Sequence, residues 1–142
     1  MARSFKDFYP LLGVTAGSSA ANTTGTVSGN IYDLSGFEGV VFLATITATA
    51  TNNGLLAKGG SATASMSHLA GTWTTGHTTQ LELEVYRPIH RYIQPNLVLG
   101  TSAAYGPIFA FGIGSKAVPA SNATTVTSKR VVHPGTGTAT SS

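Results

Sequence analysis

Phe37-Glu38-Gly39-Val40-Val41-Phe42-Leu43-Ala44-Thr45-Ile46-Thr47-Ala48-Thr49-Ala50-Thr51 is the stretch that decides the fold. Its even positions read Val, Phe, Ala, Ile, Ala, Ala, and its odd positions read Val, Leu and then Thr four times. Side chains alternate across a strand with a period of two, so this run predicts a strand with one apolar face. The other face turns from apolar to threonine after Leu43, as expected if one end is covered on both sides. Threonine is β-branched and suits a half-exposed pleated surface. Asn52-Asn53-Gly54 follows, and Asn-Gly tolerates the positive φ of tight hairpin turns, which predicts a return strand near Leu55–Met66.

Working outward, Gln80–Leu99 reads as a second hairpin. Leu81, Leu83 and Val85 alternate with Glu82, Glu84 and Tyr86, and Ile93, Leu97 and Leu99 share one side of the partner strand. Arg87-Pro88-Ile89-His90 supplies the turn, since proline resists a central strand, and Arg87 and Arg91 flank its tip. A further strand is expected over Tyr105–Gly114, with Phe109, Phe111 and Ile113 opposite Ile108, Ala110, Gly112 and Gly114. No stretch carries apolar residues at helical spacing with plausible caps. The expected fold is therefore all-β: an antiparallel β-sandwich or jelly-roll-like single domain over residues 25–115. Residues 1–24, with Phe5, Phe8 and Tyr9, and residues 116–142, ending in PGTGTATSS, are expected to be extended N- and C-terminal arms.

Composition narrows the function. The 142 residues include 13 charged side chains, no cysteine and a net charge of +3, so most of the surface is neutral and thiol chemistry is excluded. Residues 1–84 hold three bases and all five acids, whereas residues 85–142 hold five bases and no acid. Those bases are dispersed, and no cluster of Lys and Arg interleaved with aromatics suggests a nucleic-acid platform. The longest apolar run, Val40–Ala44, is far short of the ~20 residues that cross a bilayer. No apolar export signal is visible at the N-terminus.

A search for chemistry returns little. His68, His77, His90 and His133 lack the close pairing that starts a zinc site. Glu82 and Glu84 share a strand face, which reads as a solvated pair rather than two acids flanking a substrate. No nucleophile elbow or phosphate loop is present. No enzyme, metal or cofactor is expected. Trp73, with Tyr86 and Tyr92, leaves a carbohydrate-binding module open as an alternative.

Three pieces of the chain carry a resemblance: Ile31-Tyr32-Asp33-Leu34-Ser35-Gly36-Phe37-Glu38-Gly39-Val40, then Leu83-Glu84-Val85-Tyr86-Arg87-Pro88 with Arg91-Tyr92-Ile93, then Leu99-Gly100-Thr101-Ser102. In this order, between an aromatic N-terminal segment and a Thr/Gly/Pro-rich tail, they resemble the small head proteins of tailed bacteriophages that decorate, or cement, the capsid. The likeness covers most of residues 5–134 and rests on packing and turn motifs. Ile89-His90 departs from it, because that tip is often more basic in the group. The resemblance implies a homo-oligomer, a dimer or trimer, bound to the major capsid protein on the outer surface of the virion and bridging capsomers, made in the host cytoplasm. On that reading Phe5, Phe8 and Tyr9 anchor one arm, Val131, Val132 and Pro134 the other, and Arg87 and Arg91 join the interface. Another virion component, of the tail, head-completion or fibre-associated kind, is the alternative within the same class.

Overall fold

The computed structural model of the chain describes residues 8–46, 53–69, 74–75 and 80–116. Among the described residues ten strands are found: β1 (Leu11–Thr15), β2 (Ser18–Ser28), β3 (Tyr32–Asp33), β4 (Gly39–Thr45), β5 (Gly54–Gly60), β6 (Ser67–His68), β7 (Thr74–Thr75), β8 (Gln80–Tyr86), β9 (Tyr92–Tyr105) and β10 (Ile108–Ile113). One sheet has the order β1-β10-β4-β8 and the other β2-β9-β5-β6, with β3 added beside β9 and β7 beside β5; every pairing is antiparallel. With β3 and β7, which lie off the main strand paths, set aside, the remaining eight, renumbered in chain order, follow the order 1-8-3-6 in one sheet and 2-7-4-5 in the other. That interleaving of early and late strands is the jelly-roll arrangement of a β-sandwich.

The alternation seen in sequence is the alternation of burial. Val40, Phe42, Ala44 and Ile46 face the core, as do Leu81, Leu83 and Val85, while Glu82 and Glu84 are exposed. Ile108 and Ala110 complete the inner face of the first sheet; Leu55, Ala57, Ile93, Leu97 and Leu99 come from the second. Phe42 lies at 6.1 Å from the Tyr32 ring, and this aromatic contact ties the sheets near one end. Each large apolar side chain removed from water contributes roughly 1.5–3 kcal/mol, which is the force holding the layers together.

Among the described residues neither expected hairpin pairing forms. β4 pairs with β10 and β8, whereas β5 belongs to the opposite sheet and pairs with β9. The chain crosses from one sheet to the other between them. Asn53 is accordingly not a turn residue: it is buried, its side-chain oxygen accepts the Gly100 N–H at 3.1 Å, and neither Asn53 nor Gly54 has positive φ. β8 and β9 are likewise split between the sheets, so Arg87–Arg91 bridges the layers at one end of the sandwich. The return strand expected near Leu55–Met66 stops at Gly60, and residues 47–52 lie outside the described residues.

Within the range expected as an N-terminal arm, Leu11–Thr15 is an edge strand of the first sheet and Ser18–Ser28 an edge strand of the second. Leu11, Gly13, Val14 and Thr15 each align with a residue of β10, and Leu12 packs on the core, so this segment is held by the domain itself. Phe5 and the whole of residues 117–142 lie outside the described residues.

Pro95 sits inside β9 with a neighbour on each side, a place where its missing N–H should break the ladder. Gly29, in the gap between β2 and β3, donates its N–H to the Pro95 carbonyl at 2.7 Å. The return bond from residue 95 is impossible, and the Gln94 side-chain amide supplies it instead, donating to the Gly29 carbonyl at 2.8 Å. Only glycine fits opposite the ring, since a Cβ at 29 would lie 2.6 Å from Pro95 Cγ.

Candidate interaction surface

Three loops meet at the end of the sandwich where β4 begins and β8 and β10 finish. They are residues 33–38, 87–91 and 114–116. Arg91 grips Asp33 with two parallel bonds, Nε to Oδ1 at 2.9 Å and Nη2 to Oδ2 at 2.7 Å, the planar fork that guanidinium and carboxylate share. Asp33 Oδ1 also accepts the Ser35 N–H at 3.0 Å. The Arg91 guanidinium beside it holds the Asp33 carboxyl well below the usual carboxylate range. Backbone bonds join the same loops: Leu34 N–H to the Arg91 carbonyl at 2.8 Å and Arg87 N–H to the Glu38 carbonyl at 2.7 Å. The third loop is tied by Lys116, whose N–H reaches the Gly36 carbonyl at 2.9 Å and whose Nζ reaches the Ser35 carbonyl at 3.2 Å.

Between these loops lies an open groove of about 640 Å³ lined by Leu34, Phe37, Glu38, Arg87, His90 and Lys116. Arg87 has φ of 49°, a left-handed conformation rare for a residue with a Cβ, which marks the loop as held against its local preference. Its guanidinium is only loosely paired with Glu38, at 3.8 Å, and sits 5.2 Å from the centre of the Tyr86 ring. Arg91 stacks in the same way on Tyr92, at 5.1 Å. At the centre of the loop Ile89 is 91% exposed, and Tyr86 is 54% exposed.

The chain enters β1 at this same end. Pro10 accepts the Gly112 N–H at 2.8 Å, and Ile113, Gly39 and Tyr86 follow one another across the sheet. Phe8 and Tyr9, their rings 6.5 Å apart, are 49% and 46% exposed. Four of the eight sequence-predicted interface residues, Phe8, Tyr9, Arg87 and Arg91, are thus brought to one end. Phe5, Val131, Val132 and Pro134 lie outside the described residues. Ile89, which is not among those eight, is the most exposed large apolar side chain of the described residues, and an isoleucine in a turn otherwise made of Arg, Pro and His is the sequence signal for it.

Other sequence expectations fall elsewhere. His68 stands on β6 and His90 on the groove, and His77, His133 and Trp73 lie outside the described residues. Among the described residues, no three His, Asp or Glu side chains gather as a metal site. Tyr86 and Tyr92 each carry an arginine on the ring, which does not leave the bare flat surface that stacks on a sugar.

The surface is therefore an apolar projection framed by aromatic rings and guanidinium groups, with three bases against two acids around the groove. Tyr and Arg are among the residue types enriched at binding hot spots. No protein-family model, curated protein or solved structure matches the chain.

Proposed function

We propose that the protein is a structural component of a phage particle, a decoration or cement protein that binds the lattice of major capsid protein and holds neighbouring capsomers together. One observation carries the reading: the loop 87–91 is fixed from below by the Asp33–Arg91 fork while Ile89 and Tyr86 are left uncovered. A loop ordered before binding loses little entropy on docking, so modest contact area suffices. A protein that binds only the assembled shell stabilises it by mass action, and several such contacts in one oligomer add avidity. The jelly-roll acts as a rigid spacer, and the resemblance of its loops to phage head proteins gives the partner.

The test is binding of purified full-length protein to capsids that lack it. Ile89→Asp and Arg87→Glu, both on exposed side chains, are expected to lower affinity at least tenfold each without loss of folded structure. Unchanged capsid occupancy by both variants would reject this end of the molecule as the contact.

A further inference from the structure

β8 is an open edge. Among the described residues it pairs with β4 alone, and the Arg87 N–H bond to the Glu38 carbonyl sets the phase of that ladder. In this phase the odd residues of β8 bond to β4, and the backbone N–H and C=O of Glu82, Glu84 and Tyr86 point away from it. Edge strands of this kind are templates for a further strand unless something discourages it. Here the discouragement is selective, because Glu82 and Glu84 are both exposed on the outer face of the sheet.

Antiparallel pairing of β8 with β8 of a second copy would set Glu82 opposite Glu84 twice, placing four carboxylates on one face. Like charges directly opposite each other destabilise a strand pair, and opposite charges stabilise it. The edge therefore rejects its own copy and fits a basic strand. Beside the carboxylates lie Leu43 and Phe109, which with Gln80 and Glu82 line a groove of about 510 Å³ on this face. The complement is a β-prone segment with bases and small branched apolar groups.

The chain holds one segment of that kind: Thr124-Thr125-Val126-Thr127-Ser128-Lys129-Arg130-Val131-Val132, which carries the sole pair of adjacent bases in the sequence. Consecutive residues of a strand point to opposite faces, so as a strand beside β8 the segment would turn either Lys129 or Arg130 to the face that carries the two glutamates. From Lys116, at the end of the sheet where β8 finishes, eight residues lead to Thr124 and span up to ~28 Å, enough to leave the parent sandwich and reach a neighbour. We infer that residues 124–132 of one copy add as an antiparallel strand to the β8 edge of the next. Edge and donor strand belong to different segments of the chain, so each copy is both donor and acceptor of a strand. It concerns contacts between copies and stands independently of capsid binding.

Charge exchange in the full-length chain tests it, with no capsid present. Sedimentation velocity over a range of concentration is expected to show association of the native protein that falls at least tenfold in Glu82→Lys/Glu84→Lys. The same fall is expected in Lys129→Glu/Arg130→Glu, and recovery in the variant carrying all four changes. The second pair lies outside the described strands, so it is a separate variant whose result stands even if the first is poorly folded. Association unaffected by either pair, no recovery in the fourfold variant, or a native chain that stays monomeric because its tail closes on its own edge would each overturn the inference.

Discussion

Arg87 concentrates the conflict between local preference and use. A left-handed residue with a Cβ costs roughly 1–2 kcal/mol relative to a relaxed backbone, and the ion pair to Glu38, between exposed groups 3.8 Å apart, returns little of it. Glycine at this position would take the same φ without strain. Arg87→Gly is therefore expected to leave stability unchanged or raise it by up to about 1 kcal/mol, because the more flexible unfolded chain offsets part of the relief, while capsid affinity falls. Urea unfolding measured beside capsid binding separates the two effects. A stability loss larger than about 1 kcal/mol would mean that the arginine holds the fold rather than the contact. Asp33 and Arg91 divide the labour differently: their fork is satisfied within the subunit, so Arg91 positions the loop, and on the proposed reading Arg87 is the base that meets a partner.

At the scale of elements, the least expected arrangement is the passage of Pro95 through an interior strand. It depends on Gly29 lying against the proline ring and on Gln94 replacing the missing bond. Gly29→Ala forces a Cβ into Pro95, and the expected cost is roughly 1–3 kcal/mol, read as a lower urea midpoint; an unchanged midpoint would show that β9 shifts freely at this point. The alternation over Val40–Ile46 and Leu81–Val85 was legible because burial on one face imposes it. Pairing was not legible, since a strand that faces another across the core and one that hydrogen-bonds to it in a hairpin carry the same alternation. Asn53-Gly54 misled for the same reason. The residues suit a tight turn, and here they begin a strand in the other sheet, with the asparagine oxygen serving the Gly100 N–H. Leu11–Thr15 was absorbed into an arm because five residues are too few to show a period against the glycine and alanine that follow. The arginines at the tip were legible as flanking a connection; the Asp33 partner, 58 residues away from Arg91, was not.

For the whole molecule, the jelly-roll topology brings both ends of the described chain, Phe8 and Lys116, to the same end as the loop 87–91, and leaves the β8 edge along the side. On the proposed reading one end meets a partner lattice and one flank a sister subunit, with Phe42 and the buried aliphatic rows of the sandwich between them. A scaffold of this kind does its work through contact area, and the number of copies in a particle follows from where that area is used. A lattice contact repeats at every equivalent capsomer junction, whereas a part at the tail axis or at the vertices repeats only a few times. Counting this protein against the major capsid protein in purified particles tests the account most directly. The account predicts copies in the hundreds, in fixed ratio to capsid subunits; a few tens or fewer, or absence from the particle, would contradict it.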